Sequence, residues 1–335
     1  MTKLPERVLI VRTGAIGDVA NALVVANAIR EAAPATRVGW VAHELVQPLL
    51  EGHPSVDRVH LWPRASGLAG LRALRGELRA ERYGLALDLQ RIAKSVLVAR
   101  LSGAPRVVGF DRARSKELAW LWPTERLAPR PDSRHRVEGY LDVVQHLGLP
   151  IPRVLHRLPQ DARAAAWADQ QVAAWGGAPV LVHVGATKPP NRWPAERFGG
   201  LAGALARDPG APVVLVGGPD EVEAARRAMA AAGSAVRDLV GATDLSQLIE
   251  LCRRARLVVS ADSGPMHVAA AVGTRVLALF GPADPAATGP WGAQHRVLRA
   301  PRLAMDELPV KPVLTTAREL LTETAAPERA TIGEG

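Results

Sequence analysis

The sequence predicts an α/β protein built from two doubly wound domains in tandem, and three observations predict it. Short aliphatic, β-branched runs alternate with longer helical patterns, lose the rhythm between residues 111 and 152, and then resume it. The chain has 335 residues, enough for two ordinary domains. Aromatics are only 4% of a chain that is 48% hydrophobic, so Ala, Leu and Val must build the cores, as suits helices packed closely on parallel sheets.

The elements follow in order. RVLIV (7–11) is a strand, RTGAIGD (12–18) a loop, and VANALVVANAIREAA (19–33) a helix. RVGWVAH (37–43), VDRVHLW (56–62) and GLALDLQ (84–90) read as strands, with helices over 68–82 and 91–101, and RVVGF (106–110) closes the series. These strands are nearly all apolar, so the sheet should be covered on both faces. Residues 111–152, rich in Arg, Pro and Trp, read as a connection with one helix, RVEGYLDVVQHLG (136–148). The second series runs PVLVHVG (179–185), helix 195–207, APVVLVGG (211–218), helix 220–233, a short RDLVG (237–241), helix 244–255, RLVVS (256–260), helix 264–273 and RVLALFG (275–281). The expected domains span 1–160 and 175–322, with the boundary near 155–175 and a frayed tail over 323–335.

A formal net charge of +9 points toward anionic partners, although an Arg-rich chain can also simply carry a basic solvated surface. The basic residues crowd between 106 and 136, where eight Lys and Arg meet four Asp and Glu near Trp120 and Trp122. Such a segment suits an acidic amphiphile at a membrane surface; nucleic acid is the weaker reading, because no recognised nucleic-acid-binding module is present. The lone Cys252 allows neither a disulfide framework nor a cysteine metal site and fits a reducing cytoplasm. The opening segment lacks a signal-peptide apolar region and no run of about 18 apolar residues occurs, so the expectation is a cytoplasmic protein, at most peripheral to a membrane.

Three loops carry the candidate chemistry. In VRTGAIGDVANA a strand runs through a glycine loop into a helix, which presents backbone N–H groups and a positive helix end at the carboxyl edge of a sheet. Asp18 there reads either as a group facing a cleft or as a plain helix N-cap. Gly14 and Gly17 lack the dinucleotide-binding spacing, which weakens a nicotinamide reading. In SADSGPMHVAAAVG the acid, hydroxyl and glycine precede a helix and have no second copy, which fits an anion cradle better than an aspartic protease. Ser263, Gly264 and nearby amides would hold a diphosphate, Asp262 would cap the helix or orient neighbours, and His267 either donates to phosphate or packs inside. In VHVGATKPPNRWPAERF the candidates are Thr187, Lys188 and Arg192, a hydroxyl and two cations suited to a departing diphosphate, or else a solvated loop. Glu221 starts a later helix. No Asp-x-Asp, metal-ligand spacing, nucleophile elbow or Walker lysine occurs, so no metal or cofactor is expected.

In this combination and order, RVLIVRTGAIGDV, ALDLQRIAKS, RWPAERF, VVSADSGPMHVAAAVGTRVLALFGPADP and GPWG resemble the glycosyltransferase family 9 heptosyltransferases of lipopolysaccharide core synthesis, those of the heptosyltransferase I kind most of all. The resemblance covers nearly the whole chain. It implies a GT-B architecture of two Rossmann-like domains facing across a cleft, and inverting transfer without metal from ADP-heptose to the Kdo-lipid A inner core, at the cytoplasmic face of the inner membrane. It implies Asp18 as general base and Lys188 as the cation for the leaving ADP. Thr187, Arg192, Glu221, Asp262, Ser263, Gly264 and His267 would bind the donor in the second domain; Arg64, Gln90, Lys94 and His135 would meet the acceptor in the first. One departure stands out: the family usually has Lys where this chain has Asn191, so Lys188 or Arg192 must supply the charge, or the donor differs.

Overall fold

Aliphatic runs become strands wherever both faces can be covered by helices, and the Ala-rich segments supply helices slim enough to cover them. The computed structural model describes residues 4–62, 67–129, 135–152, 156–208 and 210–323. It divides into two units, residues 1–160 and 161–335.

In the first unit the chain runs β1 (Arg7–Val11), α1 (Ile16–Ala32), β2 (Arg37–Ala42), β3 (Arg58–Leu61), α2 (Gly67–Ala80), β4 (Leu85–Asp88), α3 (Ala93–Leu101), β5 (Arg106–Gly109), β6 (Glu125–Arg126) and α4 (Arg136–His146). The sheet order is β3-β2-β1-β4-β5-β6. All its pairings are parallel. The chain builds outward from β1 on one side, then crosses to β4 on the other, so β1 and β4 flank the point where a parallel sheet leaves a ligand crevice at its carboxyl edge. Every residue of α1 from Val19 to Ile29 is buried, because the sheet takes one side and α4 packs along another. The stretch read from sequence as a connection thus finishes the sheet with β6 and covers α1 with α4. Glycine at 39 makes room for a ring: a side chain there would overlap the phenol of Tyr83, whose hydroxyl lies 2.7 Å from His60 Nε2.

The second unit begins with a helix that the sequence reading left between its two domains. The helix α5 (Ala162–Trp175) is capped by Asp161, whose carboxylate accepts from the amides of Arg163 and Ala164 at 2.9 Å, and it stops at Gly176 with φ +83°. There follow β7 (Val180–His183), α6 (Ala195–Leu205), β8 (Val213–Val216), α7 (Val222–Ala232), β9 (Arg237–Asp238), α8 (Leu245–Arg254), β10 (Leu257–Ala261), α9 (Gly264–Ala271), β11 (Val276–Phe280), α10 (Pro285–Thr288), β12 (Arg296–Arg299) and α11 (Val310–Thr322). The order β12-β11-β10-β7-β8-β9 repeats the first topology strand for strand, with β7 in the place of β1 and β10 in that of β4. Gly199 and Gly203 let α6 lie against the backbone of α7, where any side chain would strike the carbonyls of Ala228 and Ala232. The strand β12 and the helix α11 extend beyond the sequence reading; α11 buries Val313, Ala317 and Leu320 in the core of this unit.

Candidate active site

The loop after β1 is tied down on both sides. The Thr13 amide and hydroxyl both donate to Gln90 Oε1 at 2.7 Å, which joins the ends of β1 and β4. Toward β2, Trp40 Nε1 donates to Arg12 O at 2.9 Å and the His43 amide to Thr13 O at 3.0 Å. This fixed loop delivers Asp18 in the first turn of α1, where the helix dipole favours a carboxylate; the N-cap position belongs to Ala15. Asp18 is gripped by two guanidinium groups, Arg12 on Oδ2 and Arg136 on Oδ1. Arg91 belongs to the same electrostatic cluster, and burial lowers its pKa. Beneath them the buried Tyr140 hydroxyl and Arg12 Nε have no hydrogen-bond partner among the described residues. Three cations around one carboxylate leave an excess of positive charge suited to an anionic molecule with a hydroxyl group to deprotonate.

In the second unit the equivalent edge gathers residues from β7, β10 and the loop after β8. Asn191, buried in a short turn after Lys188, donates through Nδ2 to Asp262 Oδ2 at 3.0 Å. Arg192 Nε donates to Ala186 O at 2.8 Å. Ser263, rather than Asp262, is the N-cap of α9, and its hydroxyl makes no capping bond. Instead its Oγ lies 3.2 Å from His183 Nδ1 and 2.9 Å from Ser260 Oγ. The other nitrogen of the buried His183, Nε2, lies 3.4 Å from Glu221 Oε2, which also accepts from the Gly218 amide at 2.6 Å. Burial pushes the Glu221 carboxyl up, but His183, the Gly218 amide and the Arg192 charge outweigh it and hold the group below the usual carboxylate range. The free amides at the start of α9, a hydroxyl, a carboxylate and Arg192 thus share one sheet edge. Such a set can read a phosphorylated, hydroxyl-bearing ligand.

Residues 71–313 match glycosyltransferase family 9 (heptosyltransferase). The chain belongs to this family. It is 30% identical to lipopolysaccharide heptosyltransferase 1 of Escherichia coli K12 over 88% of this chain and 94% of that one. The structure of the E. coli heptosyltransferase WaaC with ADP superposes with a TM-score of 0.78 at 27% identity, covering 94% of this chain and 99% of that one. The structure of the E. coli ADP-heptose lps heptosyltransferase II gives a TM-score of 0.80 at 25% identity, covering 94% and 98%. The fold is thus that of the GT-B heptosyltransferases, and the protein is a glycosyltransferase.

Within this family 9 chain the sequence-predicted residues fall into three groups. Asp18 and Gln90 lie together at the β1–β4 edge, and Glu221, Ser263, Asp262 and Arg192 at the β7–β10 edge, with Gly264 opening α9 and His267 buried one turn in. Lys94 and His135 are held by other tasks: the Lys94 ammonium sits 4.4 Å from the Trp62 ring centre, and His135 Nδ1 accepts from the Val137 amide at 3.1 Å as the cap of α4. Thr187 and Lys188 are exposed. Arg64 lies outside the described residues. Sequence reading missed Arg12, Arg91, Arg136, Tyr140 and His183. Arg12, Arg91 and His183 had a legible signal, since each stands at or just after the carboxyl end of a central strand; Arg136 and Tyr140 are brought in by tertiary contact alone.

Proposed function

We propose that this family 9 member is an inverting heptosyltransferase that moves heptose from ADP-heptose to the Kdo-lipid A inner core of lipopolysaccharide, without a metal. The observation that carries the reading is the Asp18 cluster: an oriented carboxylate amid excess guanidinium charge, on the edge of the first unit, is what an anionic acceptor with a reacting hydroxyl needs. Asp18 takes the proton of that hydroxyl; its oxygen attacks the anomeric carbon of the heptose from the face opposite ADP; the bond to the phosphate oxygen breaks, and ADP leaves with the electron pair. The second unit carries the donor. The amides of Ser263, Gly264 and Met266 and the Ser263 hydroxyl meet the diphosphate, Arg192 and Lys188 offset its growing charge, and Thr187, Asp262 and His267 complete the cradle. Gln90, Lys94, His135 and Arg64 belong to the acceptor side, and the basic aromatic segment before α4 rests on the inner-membrane surface.

The relatives support ADP as nucleotide through the words of one structure, solved with ADP. The acceptor is the finer point, since an enzyme named heptosyltransferase 1 and one named heptosyltransferase II are similarly close. A second reading, a different nucleotide sugar or acceptor, is favoured by Asn191: the neutral amide bonds Asp262 where the family usually has Lys. The deciding experiment is mass spectrometry of Kdo-lipid A incubated with ADP-heptose and chelator. Wild type should add one heptose mass, and Asp18→Asn should lose roughly 10²–10⁴-fold in kcat while still binding ADP. No product from folded wild type rejects this donor–acceptor pair, and product from Asp18→Asn at the wild-type rate rejects the base.

A further inference from the structure

Glu221 and Ser263 stand on the proposed donor edge, and the buried imidazole of His183 links them from within. His183 ends β7, is buried, and spans two groups from distant parts of the chain: Glu221 at the start of α7, and the Ser260 and Ser263 pair at the end of β10. A buried imidazole between a carboxylate and hydroxyls has one consistent tautomer. Nε2 carries the proton toward Glu221 Oε2, and Nδ1 is then an acceptor. Two hydroxyls compete for that acceptor, Ser260 at 3.3 Å and Ser263 at 3.2 Å. Ser260 is fully buried, and besides Nδ1 its proton reaches Ala261 O at 2.9 Å and Ser263 Oγ at 2.9 Å. When the Ser260 proton serves Nδ1, the Ser263 proton is released to an outside acceptor without leaving the imidazole unpaired.

The same imidazole sets the other end. Glu221 Oε2 is committed to His183 and the Gly218 amide, so the carboxylate lies across Gly185, with Oε1 over the place where a side chain at 185 would stand. That leaves Oε1 to accept from a ligand hydroxyl, while Ser263, on the other side of His183, donates to a phosphate.

We propose that His183 is the positioning residue of the nucleotide site: it aligns Glu221 for the ribose hydroxyls of a nucleoside diphosphate and the Ser263 hydroxyl for its diphosphate. This inference rests on the donor reading given above. The test is calorimetric titration of the full chain with ADP, alongside donor KM and kcat, for wild type, His183→Leu, Glu221→Gln and the double variant. His183→Leu should weaken ADP about tenfold or more and raise donor KM by a similar factor, with kcat at saturating donor changed far less. In the Glu221→Gln background the same substitution should cost clearly less, because part of its effect runs through Glu221. His183→Gln, whose amide reaches toward Glu221, should restore part of the loss. ADP affinity within about twofold of wild type in a His183→Leu protein that melts normally overturns the proposal, and so do losses that simply add in the double variant. If His183→Leu fails to fold, Gly185→Ala replaces it. The added methyl overlaps the Glu221 carboxyl and displaces it from His183 while leaving the imidazole in place, so the same loss is expected and unchanged ADP binding overturns the proposal. Wild type that binds UDP or GDP but not ADP rejects the adenine donor alone, and the His183 comparison is then read with the diphosphate that binds; wild type that binds none of the three overturns both readings.

Discussion

Asp88 closes β4 with its carboxylate buried, and Oδ1 accepts from the amides of Gln90 at 3.1 Å and Arg91 at 3.3 Å. It therefore shapes the turn that carries Gln90 to Thr13. Burial pushes its pKa up to about 6, against the pull of Ser95, the two amides and Arg12. In the unfolded chain the group titrates near its ordinary value, so between about pH 4 and 6 the folded state binds more protons, and the stability contributed by protonation is lost as pH rises through 6. A rise of about two pH units corresponds to about 3 kcal/mol. Asp88→Asn keeps an acceptor for both amides and removes the ionisation. The expected outcome is a variant more stable than wild type at pH 7, with the advantage shrinking as pH falls toward 4 in denaturant melts; a pH-independent difference would show that Asp88 does not carry the effect. Legibility differs sharply at this scale. Asp18, Ser263 and Arg192 stand at strand-to-helix junctions, where a local pattern reveals them. Arg136 does not: it meets an acid 118 positions away; and although His183 ends β7, its meeting with a serine 80 positions away is likewise encoded by no local pattern.

At the scale of elements, the strands of four to six aliphatic residues were legible because burial on both faces demands that composition. Two strands were not: β6 has only two residues, and β12 is RVLR, with charges at both ends; β9, also of two residues, lies within the short RDLVG read from the sequence. The segment before β6 has a further property. Leu118, Leu121 and Trp122 are 63%, 53% and 54% exposed, side by side around a short helical turn. Beside them the Arg112 and Arg126 guanidiniums stack on Trp120 at 5.5 and 6.0 Å from the ring centre. Apolar tips ringed by cations are what an anionic bilayer surface attracts. Sedimentation with phosphatidylglycerol vesicles should carry the protein down at low salt and release it at high salt, whereas the Leu118→Ser, Leu121→Ser, Trp122→Ser variant should remain in the supernatant. Because these side chains are exposed, the variant should melt within about 0.5 kcal/mol per site of wild type. Equal sedimentation of the variant would remove this segment as the contact.

For the molecule as a whole, acid acts on buried histidines in both units: burial lowers the pKa of His53 and His60 in the first and of His295 in the second. His53 Nε2 donates to Arg157 O at 2.6 Å while Nδ1 accepts from the Ser55 amide at 3.0 Å. His295 Nε2 donates to Trp291 O at 3.1 Å while Nδ1 accepts from the Val276 amide at 3.2 Å. Burial lowers both to about 4. Here the unfolded chain takes up protons first, so stability is present above about pH 6.5 and is lost as pH falls toward 4, by about 3 kcal/mol for each site. Two such losses outweigh the opposite gain from Asp88, and wild type should melt at lower temperature at pH 4.5 than at pH 7; replacing His53 and His295 with Gln should flatten that slope, and an unchanged slope would assign the acid sensitivity elsewhere. The repeated strand order has a consequence in time. Thr13 meets Gln90, and His183 meets Ser260, in each case across 77 positions of chain. At about 5–20 residues per second, the ribosome needs about 4–15 seconds to make that interval. Closing it costs about 4 kcal/mol of chain entropy before any contact repays it. During biosynthesis the open flank of β1, and later that of β7, must therefore wait for its missing neighbour, which makes those intervals the natural point for a chaperone to intervene.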